Sequence, residues 1–214
     1  MKDSSKDTFS RTELREKVIL EAIEAFRING IKSIRMDDIA NSLKISKRTL
    51  YELFENKETL LKECLSYHQE IKKKNLGEIT KASRNVLEVI LKCYKDSVEL
   101  YHRTNPKFFE EIKKYPEICD MIKNNREKDT TIVVDFLKSG VDQGIFREDI
   151  NFAIIHALLR EQMDLLMTSV SKQFSFLEVY EAIIFTYLRG IATYKGAQEL
   201  DDFIREYREE HTDV

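Results

Sequence analysis

Six glycines and two prolines among 214 residues leave this chain little punctuation for tight hairpins. Nor is there a sustained alternation of β-branched and polar residues, so strands are not expected. No run of about 18 apolar residues occurs, which excludes a membrane-spanning helix. The opening MKDSSKDTFS lacks the apolar stretch of a signal peptide. Cys64, Cys93 and Cys119 are odd in number and widely spaced, with no CxxC, as expected of reduced thiols in a cytoplasmic protein. P-loop, GxSxG, HExxH and GxGxxG motifs are all missing. His68, His102, His156 and His211 are too scattered to suggest a metal site. Neither catalysis nor a metal or other cofactor is therefore expected. No internal repeat of fixed period stands out.

What is present points to helices. Apolar residues make up 42% of the chain and charged residues 34%, the balance of a helix-rich globular protein. The net charge of −3 is unevenly spread: residues 1–62 carry 13 Lys/Arg against 11 Asp/Glu, and the remainder 22 against 27. One end is basic on an otherwise acidic molecule, as suits a protein that meets a polyanion at one face.

The stretch from Ser33 to Leu61 reads as two short helices around a tight turn, followed by the start of a third. Ile39, Ala40 and Leu43 are apolar at helical spacing, and Leu50, Leu53 and Phe54 repeat the pattern. Lys44-Ile45-Ser46 between them forces a steep crossing, which the small Ala40 permits, and Ser46 is placed to cap the second helix. This is the layout of a helix-turn-helix, whose second helix enters the DNA major groove. With Leu50 and Phe54 inward, Lys47, Arg48 and Tyr51 must point out. Lys44, Lys47 and Arg48 supply three positive charges with no acid between them in sequence. Such a face suits base edges and phosphates, and a plain three-helix core with a solvated basic face is the competing reading.

The segment from about Arg11 to Lys62 strongly resembles the DNA-binding domain of the TetR-type (TetR/AcrR) transcriptional repressors. Gly30, Asp38-Ile39-Ala40, Ser46, Thr49-Leu50-Tyr51, Phe54, Lys57 and Leu60-Leu61 carry the match. The resemblance implies base and phosphate contacts from Arg35, Lys44, Ser46, Lys47, Arg48, Thr49, Tyr51 and Lys57, with Tyr51 and Lys57 on the DNA backbone. Two positions depart from the family pattern. Lys44 stands where Gly is usual, so a positive φ there costs more. Arg35 stands where Thr caps the second helix, which leaves that duty to Asp37 or Ser33.

Taken in order, residues 1–9 read as a flexible arm, in which Lys2 and Lys6 could reach DNA. Ser10 or Thr12 then caps a first helix bearing Leu14, Val18, Ala22, Ala25 and Phe26, stopped at Asn29-Gly30. Residues 10–56 form the expected DNA-binding domain. Residues 57–80 make a long connecting helix into a helical bundle that runs to residue 198, and 199–214 read as an acidic tail. The expectation is an all-α protein of about nine helices, an N-terminal three-helix head followed by a C-terminal bundle.

In the bundle, Tyr94, Ser97, Tyr101, Phe108, Phe109, Met121, Phe136, His156, Met163 and Met167 mix apolar walls with a few polar groups, as a ligand pocket or an ordinary core would. An apolar or amphipathic small molecule suits that lining. The last two long helices are apolar nearly all round and need cover on both sides. Ile154, Leu158, Leu165, Tyr180, Ile184, Tyr187 and Leu188 are the candidate contacts with a second copy. The resemblance implies a homodimer on a near-palindromic double-stranded operator, released by a ligand. The rival is a non-catalytic helical interaction protein whose helix-turn-helix no longer reads sequence.

Overall fold

The computed structural model describes residues 10–128, 130–168 and 174–211. Among them are eleven helices: α1 (Arg11–Asn29), α2 (Met36–Ser42), α3 (Lys47–Leu53), α4 (Lys57–Lys81), α5 (Val86–His102), α6 (Pro106–Ile112), α7 (Pro116–Lys128), α8 (Thr130–Asp142), α9 (Phe152–Thr168), α10 (Phe176–Ile191) and α11 (Tyr194–His211). The two beyond the expected nine arise in two ways. The apolar pattern from Pro116, which by spacing alone runs on as one helix to Gly140 or Gly144, is divided into α7 and α8, and the supposed acidic tail is mostly α11. No described helix is long and apolar enough to cross a membrane.

The chain divides into two compact units, one holding residues up to Lys74 together with Tyr101–Cys119, the other Asn75–Leu100 and Asp120 onward. All three crossings between units fall inside helices, in α4, α5 and α7. The boundary expected at residue 56/57 therefore moves, and α6 belongs to the head.

In the head, Ser10 caps α1 in a reciprocal box with Glu13: the Ser10 hydroxyl accepts from the Glu13 N–H at 3.2 Å, and the Glu13 carboxylate from the Ser10 N–H at 2.8 Å. Val18, Ile19, Ala22 and Phe26 of α1 are buried with Met36, Ile39, Ala40, Leu50, Phe54, Leu60, Leu61 and Cys64. Burial pushes the Cys64 thiol up to about 12; this cysteine is core. At Gly30, φ is +84° and its N–H donates to the Phe26 carbonyl at 2.9 Å, ending the helix as expected.

Asn105 N–H donates to the Arg27 carbonyl at 2.8 Å and its side-chain amide to the Ile28 carbonyl at 3.0 Å, while the Glu111 carboxylate accepts from the Lys32 N–H at 2.6 Å. Through these bonds α6 holds the end of α1 and the turn after it. Sequence spacing had no means of showing this, because the bonds join residues 77 to 79 positions apart.

The second unit is built around Val86, Leu87, Leu91, Tyr94, Val98, Phe146, Phe185, Leu188 and Ile191, closed by Leu200, Ile204 and Tyr207 of α11. Burial of those last three makes 199–211 part of the core and not a solvated tail: their spacing of four and three residues lays one stripe of α11 on the bundle. Asn151 caps α9, its amide oxygen accepting from the N–H groups of Ala153 (3.1 Å) and Ile154 (3.2 Å). Asp149 is paired with Arg147. Gly140 lies inside α8, and the chain turns at Gly144, where φ is +68°.

Candidate nucleic-acid interface

The turn between α2 and α3 closes by two backbone bonds, from Ile45 N–H to the Ala40 carbonyl at 3.0 Å and from Lys44 N–H to the Asn41 carbonyl at 3.1 Å. This nested pair is a Schellman motif with Lys44 at the position that must turn left-handed. Its φ is +54°, the one positive value at a non-glycine among the described residues. The expected departure from Gly is thus a real backbone cost, of about 1 kcal/mol. Replacing Lys44 with Gly is expected to raise stability by about 0.5–1 kcal/mol in urea unfolding while lowering DNA affinity at low salt. A stability loss would show that the Lys44 side chain holds the turn.

Ser46 caps α3, accepting from the Thr49 N–H at 3.0 Å, and the two hydroxyls lie 2.8 Å apart. Neither residue proposed to cap α2 does so. Asp37 forms an ion pair with Lys47, and the Ser33 hydroxyl donates to the Asn29 carbonyl at 2.6 Å. Asp38 instead turns back to accept from the Arg35 N–H at 2.7 Å, the half of a capping box that needs no hydroxyl. Arg35 is donor-only and cannot complete it.

With Leu50 and Phe54 fully buried, Lys47, Arg48 and Tyr51 stand on the exposed face of α3, joined by Lys44 from the turn and Arg35 from the start of α2. Thr49 is half-buried. The cations there are not bare, however. Arg48 Nε donates to Glu52 at 2.8 Å, and Lys47 is paired with Asp37. Acids absent between the cations in sequence are brought to them by one helical turn and by the α2–α3 crossing.

Lys57 is placed differently from the other predicted contacts. It is half-buried, its ammonium donating to the Ile34 carbonyl at 2.5 Å and lying 5.8 Å from the centre of the Phe26 ring. Burial lowers its pKa, opposed by Glu111 and Asp38. Here it ties α4 to the entry of α2. Sequence reasoning missed Arg15, which donates to the Leu53 carbonyl at 2.7 Å, pairs with Glu63 and lies 4.4 Å from the centre of the Phe54 ring. A cation at the last carbonyl of α3 steadies that end of the helix.

The remaining predicted residues fall into separate groups. Tyr101, Phe108 and Phe109 lie in the head unit, with Tyr101 stacked on Phe109 at 5.2 Å and Phe108 edge-on to it at 5.7 Å. Tyr94, Ser97, Met121, Phe136, His156 and Met163 lie in the second unit. Tyr94 is buried there among Tyr180, Phe185, Phe203 and Tyr207, and its hydroxyl meets Glu181 at 3.3 Å. The Ser97 hydroxyl donates to the Cys93 carbonyl at 2.8 Å. His156 is half-buried and its pKa is lowered, by burial first and by Arg160 second. The Met167 side chain and the arm with Lys2 and Lys6 lie outside the described residues.

Of the predicted dimer contacts, Leu188 is buried, Tyr180 stacks on Tyr94 at 5.7 Å, and Ile184 packs on the same core. Ile154, Leu158 and Leu165 are exposed along one side of α9. Tyr187 lines an open groove of about 650 Å³ with Gln162, Phe174, Glu178, Val179, Ala182, Ile183 and Thr186.

A capped helix carrying outward cations, crossed by a short helix through a four-residue turn, defines a helix-turn-helix DNA-binding protein. Residues 18–64 match the model of the bacterial regulatory proteins of the tetR family. Through this segment the chain is similar to the transcriptional regulators of that family. It is 24% identical over 152 residues to the HTH-type transcriptional repressor KstR2 of Mycolicibacterium smegmatis, covering 69% of this chain and 74% of that protein. Its fold is shared with a transcriptional regulator from Saccharomonospora viridis in complex with choline (TM-score 0.62, 17% identity, 85% of this chain and 99% of that one). It is shared also with the ketosteroid transcriptional regulator KstR2 of Mycobacterium tuberculosis (TM-score 0.51, 19% identity, 84% and 95%).

Proposed function

We infer that this regulator binds a near-palindromic operator as a homodimer, each copy laying α3 in a major groove, and represses by blocking polymerase access. The observation that carries this reading is the exposed face of α3, where Lys47, Arg48 and Tyr51 stand opposite buried Leu50 and Phe54. Arg48 is suited to guanine O6 and N7, and Lys44, Lys47, Tyr51 and Arg35 to the backbone. The exposed stripe Ile154, Leu158 and Leu165, with the groove beside it on α10, supports pairing with a second copy about a two-fold axis. Such a dimer spaces its recognition helices about 34–36 Å apart.

Selection of bound duplexes from a random library tests both parts together. A near-palindrome with half-sites about one helical turn apart is the expected product; enrichment of no sequence would exclude the reading.

The second unit, in this reading, holds a small apolar or amphipathic molecule that favours a state mis-spaced for the operator. The choline complex of the relative sharing this fold supports a ligand-responsive body. A tenfold release of DNA requires a differential affinity of only ~1.4 kcal/mol between the two states. Compounds that raise the unfolding temperature should weaken operator binding, and one that does the first without the second is not an effector.

A further inference from the structure

The Arg48–Glu52 pair lies in the path of any duplex that the α3 face approaches, since the Arg48 side chain is 89% exposed and that of Glu52 58%. So exposed a pair adds almost nothing to folding. Its consequence falls at the DNA surface, where a duplex carries one negative charge per about 1.7 Å. On an arbitrary sequence Arg48 must exchange a carboxylate for a phosphate, and the released Glu52 then faces further phosphates. Asp37 imposes the same exchange on Lys47. Three cations on this face, Lys44, Lys47 and Arg48, are thus opposed by two carboxylates, and non-specific binding benefits little from them.

A carboxylate becomes favourable in the major groove only opposite a donor, and the cytosine N4 amino group is the one a glutamate accepts from. Residues 48 and 52 are one turn apart, with β-carbons about 5–6 Å from each other, a span that covers neighbouring base-pair edges. We propose that Glu52 is a specificity-determining residue of the recognition helix, accepting from a cytosine amino group beside the guanine that Arg48 reads and repelling phosphates elsewhere. The proposal rests on the DNA-reading role inferred above.

The test compares the full chain with Glu52→Gln and Glu52→Ala, using a random duplex library and an unselected duplex titrated across salt. Thermal unfolding checks first that the exposed substitutions leave the fold intact. Glu52→Gln is expected to bind the unselected duplex several-fold more tightly, with a salt slope steeper by about 0.9, as when the protein neutralises one further phosphate. Its selected sequences should exchange a cytosine for an adenine at one position per half-site, because glutamine pairs with adenine N6 and N7. Glu52→Ala should lose the preference there altogether. Tighter non-specific binding with the wild-type sequence still selected at undiminished discrimination would overturn the proposal, leaving Glu52 a bulk charge. Unchanged behaviour in both assays would overturn it too. If the wild-type chain itself enriches nothing, the DNA-reading role fails, and the proposal with it.

Discussion

Leu158→Arg is expected to make the protein monomeric and to weaken operator binding by about 10²–10⁴-fold, the advantage that linking two half-site contacts supplies. Leu158 lies midway along the exposed α9 stripe, 50% exposed, between Ile154 at 56% and Leu165 at 62%. Three large apolar residues on one side of a helix, beside a groove floored by Val179, Ala182 and Ile183, form the kind of patch that marks an association surface. Across a two-fold axis each such residue lies near its own copy or that of a neighbour, so one substitution introduces two arginines into one apolar contact. Because Leu158 is already exposed within its own chain, helicity and unfolding temperature at low concentration should change little. Sedimentation velocity reads the outcome directly. A Leu158→Arg protein that still sediments as a dimer would remove this face from the interface.

Gly196→Ala is expected to destabilise by about 2 kcal/mol, even though alanine is the better helix former. A β-carbon at Gly196 would lie 2.3 Å from the Ile145 carbonyl oxygen. That oxygen belongs to a segment with no freedom to retreat. Ile145 accepts from the Thr193 N–H at 2.9 Å, Arg147 donates to the Ile191 carbonyl at 2.9 Å, and Phe146 and Ala192 form an antiparallel bridge. Overpacking against fixed backbone costs about 3 kcal/mol, while Ala in place of Gly returns about 1 kcal/mol of helix propensity. For a chain of this length the net loss lowers the unfolding temperature by roughly 4–8 °C. Gly77→Ala is the control: nothing lies within 4 Å of its β-carbon, and the same exchange there should stabilise by about 0.5–1 kcal/mol. Equal and stabilising effects at both sites would show that α11 is not pressed against residue 145.

Contacts that close within one turn were legible beforehand. Ser10 with Glu13, Ser46 with Thr49 and the stop at Gly30 each join residues three or four apart, so residue type and spacing suffice to name them. The left-handed Lys44 was implied by the family resemblance, which puts Gly at that position. Lys57 was legible as a cation at the start of α4. Its engagement by the Ile34 carbonyl was not, because that partner is 23 residues away. The sequence showed three cations on the reading face; the acid opposing Lys47 was hidden for the same reason, whereas the one opposing Arg48 lies within reach of helical spacing alone. Glu52 lies one turn on from Arg48, and Asp37 is carried to Lys47 by the crossing of α2 and α3.

By itself, then, the sequence determined the helical class, the helix-turn-helix and the outward face of α3, because a 3.6-residue period and local capping are properties of adjacent residues. Tertiary structure alone decided the allegiance of α6 and α11, which nearly uniform local patterns left open. It also decided which side of α9 and α10 stays uncovered. Both helices are apolar nearly all round, so periodicity names no inner face; Tyr180 and Leu188 turn inward only because the Tyr94 cluster is there to receive them, and that leaves Ile154, Leu158 and Leu165 facing out.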